Sequence, residues 1–200
     1  MLKVGLTGSI AVGKSYVCEV LRELGAVVLD ADETAREVVK PDTIGLRKIV
    51  ENFGEKFLQP NGELDRVKLG AIIFADEAKR QVLNSIVHPL VIEAQNDWLI
   101  EREKENPNGI AVIDAALMIE SGGYKRFKKL IVVWCESAIQ LERLMLRNDL
   151  SETEALKRIN AQMPQEEKKR YADFLIDTSD GFDTTRKQTL EIFEQLRFLV

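Results

Sequence analysis

The sequence lacks most of the features that would take it out of the class of ordinary single domains. Its 200 residues include only two cysteines, Cys18 and Cys135. Both lie in apolar surroundings with no CxxC or Cys/His spacing, which argues against a disulfide framework or a structural zinc site and predicts two buried thiols. No run approaches the roughly 18 to 20 uninterrupted apolar residues of a membrane span, and the first residues lack the basic, apolar and cleavage regions of a secretory signal. A cytoplasmic protein with no membrane partner is the expectation. A basic excess is also missing: 28 Lys and Arg stand against 33 Asp and Glu, a formal net charge of −5. Proteins that bind long nucleic acids carry the opposite balance, so nucleic acid is not an expected partner and any phosphate site must be local. Internal repeats and low-complexity tracts are absent as well. What is present is a 45% apolar content spread along the chain, with 30% charged residues and a mean hydropathy of −0.14. That is enough for one sizeable core.

Short β-branched runs alternate with longer segments of 3.6-residue period, the pattern of a parallel sheet with crossover helices on both faces. Five strands are predicted: Lys3 to Thr7, Ala26 to Leu29, Ile110 to Ile113, Leu130 to Trp134 and Phe174 to Ile176, each short and apolar enough to be buried on both faces. The helix after the first strand carries Val17, Val20, Leu21 and Leu24 on one side and ends at Gly25. A closing helix carries Ile192, Phe193, Leu196, Leu199 and Val200. Two stretches depart from the alternation. Residues 33–106 contain no convincing strand and are punctuated by Pro41, Pro60-Asn61-Gly62 and His88-Pro89, which reads as a helical insertion. Residues 148–170 open with Ser151-x-x-Glu154, a capping-box pattern, and are polar enough for a mobile lid. Residues 1–32, 107–147 and 171–200 then form the core of a single domain spanning 1–200.

The chemistry is concentrated between the first strand and the first helix. Gly8-Ser9-Ile10-Ala11-Val12-Gly13-Lys14-Ser15 matches G-x-x-x-x-G-K-S in the strand–loop–helix context that the motif requires. Gly8 and Gly13 are expected to take dihedrals that turn successive N–H groups inward, a nest for a β-phosphate at a helix N-terminus. Lys14 adds a point charge for the β- and γ-phosphates, and the Ser15 hydroxyl is a hard oxygen ligand for Mg²⁺. By composition the pattern arises in roughly one such chain in a few hundred, before its context is required. Residues 1–29 also carry Lys3, Lys14 and Arg22 against Glu19 and Glu23, a slight local excess of positive charge in an acidic chain.

Carboxylates stand at two predicted strand ends. The second strand runs into Asp30-Ala31-Asp32, with a helix expected to begin at or just after Asp32. Carboxylates spaced two apart at the edge where ligands bind can divide labour, one holding Mg²⁺ or its waters and the other accepting a proton from an acceptor hydroxyl. The plainer alternative for Asp32 is a helix N-cap. Ile113-Asp114 ends the third strand like a Walker B carboxylate, and Glu120 beyond it either faces an acceptor pocket or is a solvated loop residue. Arg143 and Arg147, spaced i, i+4, place two guanidinium groups together near the lid entrance, where transferring-phosphoryl charge needs cover. Arg158 and Gln162 form a second such pair, followed by Lys168, Lys169 and Arg170. Charged helix faces are otherwise merely solvated. His88-Pro89 reads first as a helix start, and Trp98 and Trp134 as core or subdomain-interface residues.

Taken together these residues resemble the dephospho-CoA kinase family. The resemblance rests on Leu6-Thr7-Gly8 leading into the loop, Asp30-Ala31-Asp32-Glu33-x-Ala35-Arg36, His88-Pro89, the stretch through Asp114 and Glu120, Gln140-Leu141-x-Arg143 with Arg147, Gln162 and Lys168, and Ala172-Asp173-x-x-Ile176-Asp177. It implies an α/β P-loop kinase fold with a helical CoA-binding insertion and a helical lid. It implies ATP-dependent phosphorylation of the ribose 3′-hydroxyl of dephospho-CoA, with Mg²⁺ accompanying ATP. The candidate ATP contacts are then Gly8, Ala11, Val12, Gly13, Lys14, Ser15 and Tyr16. The catalytic set is Asp32 as base with Lys14, Arg143 and Arg147, and the acceptor side is Asp30, Asp32, His88 and Glu120. Ser15 would ligate the metal, with Asp30 or Asp114 reaching it through water, and a monomer is favoured. The loop departs from the family's glycine-rich form at Ser9, Ala11, Val12 and Tyr16, and Ala116 and Thr178 replace a usual proline and asparagine. Two other functions stay open at this point: a nucleoside or nucleotide kinase of the same fold, and a non-catalytic nucleotide switch. No Asn-Lys-x-Asp sequence occurs, which counts against a guanine-specific switch.

Overall fold

The computed structural model describes residues 1–200, the side chains of Phe74 and Ala75 excepted. Five strands, β1 (Leu2–Thr7), β2 (Val27–Asp30), β3 (Ile110–Asp114), β4 (Lys129–Trp134) and β5 (Phe174–Asp177), form one parallel sheet in the order β2-β3-β1-β4-β5. β1 lies at the centre, in register with β3 from Leu2 opposite Ile110 and with β4 from Val4 opposite Lys129. Its carboxyl end therefore opens between those of two neighbours, the position at which doubly wound sheets bind ligands.

Burial follows strand position. β1, β3 and β4 are apolar and almost wholly buried. β2 and β5 are half-buried, contrary to the expectation that all five strands would be covered on both faces. They are the sheet's two edges, and apolar composition alone does not distinguish an edge strand from a central one. Helix α1 (Lys14–Glu23) contributes Val17, Cys18 and Leu21 to the core, and the final helix α9 (Gly181–Arg197) contributes Ile192, Phe193 and Leu196. Leu199 and Val200 do not join them: the helix ends at Arg197, and both residues are exposed beyond it. Gly25 lies just past α1 with φ of +102°, as a helix-ending glycine should. Cys18 and Cys135 are buried free thiols.

Residues 30–100 form a second compact unit, distinct from the unit made by residues 1–29 and 101–200. It contains α2 (Ala31–Glu37), α3 (Ile44–Phe53), a 3₁₀ turn at Glu55–Phe57, α4 (Arg66–Ala75) and most of α5 (Glu77–Glu105), with an isolated bridge between Leu58 and Leu64. Val39, Leu46, Ile49, Phe57, Leu64 and Leu69 give it a core of its own. Pro89 lies inside the 29-residue α5, so His88-Pro89 does not start a helix. The apolar residues Leu83, Ile86 and Val87 pack against that core just before the proline, and Leu99 is buried after it. Packing on both sides carries the helix through the lost backbone hydrogen bond.

The remaining helices are α6 (Ser137–Asn148), α7 (Glu152–Asn160) and α8 (Gln165–Lys169), between β4 and β5. The expected capping box at the start of α7 is present: Ser151 accepts from the Glu154 backbone N–H, and the Glu154 carboxylate accepts from that of Ser151. No helix among the described residues is long and apolar enough to cross a membrane.

Candidate active site

The loop from Gly8 to Lys14 joins the central strand to α1, and the two glycines serve different ends. Gly13 caps α1 in the left-handed region, with φ of +85° and ψ of 16°, and as a glycine it offers no side-chain cap to the first N–H groups of the helix. Those groups form a ready anion site. Gly8 is absent from the positive-φ residues. A Cβ there would lie 2.4 Å from the Val133 carbonyl oxygen, so glycine is required by the loop's close approach to β4. Within the loop, the other residue with positive φ is Ala11, at +62°.

Lys14 Nζ lies 3.3 Å from Asp114 Oδ1, and both side chains are largely buried. The strand pairing of β1 with β3 brings these two groups to one edge. The second Asp114 oxygen accepts from the Cys18 thiol, 3.5 Å away. Burial, then the Asp114 charge, pushes that thiol far above its ordinary range, so it stays protonated and can donate. Ser15 is exposed at the start of α1, and the Tyr16 ring meets Phe182 edge-on with centroids 4.7 Å apart.

On the opposite side of the loop stands the end of β5. The buried Thr178 hydroxyl donates to the Val12 carbonyl at 2.9 Å and accepts from Arg143 Nη1 at 2.9 Å, while Arg143 Nη2 donates to the Thr178 carbonyl at 2.8 Å. Arg147 is exposed and bonds to its neighbour Asn148. The two guanidinium groups, expected side by side, thus serve different partners. The i, i+4 spacing put them on one helix face but did not set where their long side chains turn.

Glu120, read as acceptor-facing or solvated, pairs with Lys168 at 2.9 Å and accepts from the Met163 backbone N–H at 3.2 Å. Lys168 is completely buried and donates to the Ala116 carbonyl at 2.7 Å, which also accepts from Thr7 Oγ1 at 3.2 Å. Burial holds this ammonium below the usual lysine range; pairing with Glu120 opposes the shift and the Lys14 charge adds to it. A buried lysine 48 residues from its carboxylate leaves no local hydropathy signal, because in sequence it belongs to an ordinary basic run. Lys169 sits 3.3 Å over the ring of Trp134, which is half-buried at the end of β4, a cation–π contact.

In the unit of residues 30–100, Asp30 caps α2: its Oδ1 accepts from the Asp32 N–H at 2.7 Å and the Glu33 N–H at 3.1 Å. The helix therefore begins at Ala31, one residue earlier than expected, and Asp30 rather than Asp32 is its cap. Asp32 is left exposed in the first turn, and His88 is exposed within α5.

Among the described residues no group of three or more His, Cys, Asp or Glu could hold a metal on its own. The oxygens of Ser15 and Asp114 suit a hard cation that takes most of its ligands from phosphate and water.

The dephospho-CoA kinase family model matches residues 2–183. The chain belongs to the dephospho-CoA kinase family. The sequence is 47% identical over 196 residues to the dephospho-CoA kinase of Geobacillus kaustophilus, covering 97% of this chain and 96% of that one. It is 43% identical to a dephospho-CoA kinase domain-containing protein of Danio rerio, covering 98% and 86%. The structure is similar to that of dephospho-CoA kinase from Campylobacter jejuni, with a TM-score of 0.74 at 28% identity over 98% of this chain and 96% of the other. The match to the family takes in both compact units, the loop from Gly8 to Ser15, and the Arg143, Glu120 and Lys168 clusters.

Proposed function

We propose that this chain transfers the γ-phosphoryl group of ATP to the ribose 3′-hydroxyl of dephospho-CoA, giving coenzyme A and ADP. The observation that carries the reading is a complete G-x-x-x-x-G-K-S loop at the centre of a parallel sheet, within a chain matched by one family over residues 2–183. Gly8, Ala11, Val12, Gly13, Lys14, Ser15 and Tyr16 receive the donor nucleotide: backbone N–H groups surround the phosphates, and the Lys14 ammonium exchanges part of its pairing with Asp114 for phosphate oxygen. Mg²⁺ bound with ATP supplies neutralisation of phosphate charge; Ser15 would hold it, with Asp114 or Asp30 through water. Asp32 accepts the proton of the attacking hydroxyl. As an exposed carboxylate it acts once the bound acceptor excludes water. Arg143 and Arg147 cover the equatorial oxygens of the transferring group.

Residues 33–106 serve as the acceptor-binding insertion, with Asp30, His88 and Glu120 on the acceptor side, and residues 148–170 as the lid. An insertion of about 70 residues is ample for a pantetheine arm, whereas a nucleoside kinase needs to hold only a base and a sugar. The protein acts as a cytoplasmic monomer.

The test is ADP release by the purified protein with Mg·ATP and, in turn, dephospho-CoA, pantetheine phosphate, uridine and CMP. Turnover with dephospho-CoA alone is expected. Turnover with uridine or CMP and none with dephospho-CoA would replace this reading by a nucleoside or nucleotide kinase, and no turnover with any acceptor would leave only a nucleotide-binding role.

A further inference from the structure

Two glutamines that the proposed chemistry does not use hold one residue of the phosphate loop, and a third supports one of them. Ile10 N–H donates to Gln162 Oε1 at 2.7 Å, and the Ile10 carbonyl accepts from Gln140 Nε2 at 2.8 Å. Both backbone groups of this residue are thus taken by side chains 152 and 130 positions away. Gln140 is in turn held by Gln165, whose Nε2 donates to Gln140 Oε1 at 2.8 Å and whose Oε1 accepts from the Cys135 N–H at 3.1 Å. Each amide is used in a fixed direction, so one bond sets the orientation of the next.

The three side chains come from different places. Gln140 is buried in α6, Gln162 lies in the turn after α7, and Gln165 opens α8. The turn containing Gln162 also holds Met163, whose N–H reaches Glu120, and Lys168 anchors the end of α8 at Ala116. Residues 161–168 therefore touch the phosphate loop at one point and the segment after β3 at another. A ligand that stabilises the loop geometry shown here must also favour docking of this turn, because the Ile10–Gln162 bond exists only when both are in place.

We propose that Gln162 is a positioning residue that couples occupancy of the phosphate loop to docking of the α7–α8 turn, with Gln140 and Gln165 fixing Ile10 to receive it. This inference rests on the nucleotide reading of the Gly8–Ser15 loop. Gln162 need not touch the nucleotide; it acts through Ile10.

The experiment is amide hydrogen exchange on the full chain with and without saturating ADP, for the wild type, Gln162→Met and Gln162→Glu. Methionine keeps the length of the side chain and removes the acceptor; glutamate keeps the acceptor. In the wild type, ADP is expected to slow amides of residues 13–16 and of residues 159–165 together. In Gln162→Met, residues 13–16 should still slow while the ADP-dependent protection of 159–165 falls about tenfold, and Gln162→Glu should restore most of that protection. In steady state, the KM for ATP of Gln162→Met should rise severalfold more than kcat falls. Undiminished ADP-dependent protection of 159–165 in Gln162→Met overturns the coupling. Should ADP slow neither 13–16 nor 159–165 in the wild type, the nucleotide reading fails and the coupling falls with it. If Gln162→Met does not fold, Gln165→Leu takes its place, since it removes the support of Gln140 without touching the turn's own bond to Ile10. It should weaken the same protection, and its failure to do so also counts against the relay.

Discussion

Single residues in the phosphate loop carry both strain and chemistry. Ala11 sits at φ of +62°, where an L-residue's Cβ crowds the following carbonyl at a cost of about 1–2 kcal/mol. Glycine removes that cost but adds about 0.4–1 kcal/mol of chain entropy to the unfolded state. Ala11→Gly is thus expected to stabilise the protein by about 0.5–1 kcal/mol, seen as a higher urea midpoint at unchanged slope. A lower midpoint would show that this backbone conformation is not strained in solution. Asp32 poses a chemical question of the same size. Its side chain is exposed while Asp30 spends its own on capping α2, so Asn at position 32 leaves the cap intact. The expected outcome for Asp32→Asn is a loss of kcat of about 10² to 10⁴ with ATP affinity within about twofold, the range for removing a general base. Near-normal turnover would remove Asp32 from the base role.

At the scale of elements, β5 is an edge strand that depends on side chains for part of its pairing. Asp173 clips it to β4: Oδ2 accepts from the Leu130 N–H at 2.9 Å and Oδ1 pairs with Lys129 at 2.8 Å. At the other end Gln188 both accepts from the Asp177 N–H and donates to its carbonyl, standing in for a sixth strand. Partial burial raises the Asp173 carboxyl, but the bonds from Lys129 and Leu130 outweigh it and hold the group below the usual carboxylate range. A depressed folded-state value means that the unfolded chain binds the proton first. The resulting stability is present above the ordinary aspartate range near pH 4 and is lost as pH falls through the folded value. Asp173→Asn should flatten the fall in stability below about pH 4, measured by urea unfolding at a series of pH values; an unchanged acid profile would show that the clip is not formed in solution. The same strand shows what a sequence can convey. Ala172-Asp173-x-x-Ile176-Asp177 was legible as part of a family pattern, and the loop and five strands were legible because glycine spacing and β-branched runs are local. The roles of Gln188, Gln165 and buried Lys168 were not, since each depends on a partner elsewhere in the fold. For the same reason the i, i+4 spacing of Arg143 and Arg147 failed to predict that one would turn to Thr178 and the other to Asn148.

At the scale of the molecule, the chain consists of two compact units whose stabilities need not move together. Residues 30–100 possess a separate apolar core around Ile49 and Phe57, while the phosphate loop belongs wholly to the unit of residues 1–29 and 101–200, whose core is built on β1, β3 and β4. A ligand stabilises only what must unfold to release it. ADP held by the loop from Gly8 to Ser15 should therefore protect the deep amides of β1 and β4, which exchange only when that core opens. At an ADP concentration of about 100 Kd the added stability is about 2.7 kcal/mol, or roughly 100-fold slower exchange. Amides of α3, opening with the core of residues 30–100, should slow by less than about threefold if that unit behaves as its own cooperative segment. Native-state exchange read residue by residue distinguishes the cases. Equal slowing of β1 and α3 amides would mean that the two units unfold as one and that nucleotide binding is felt through the whole chain, whereas slowing of α3 amides alone would move the nucleotide away from the Gly8–Ser15 loop altogether.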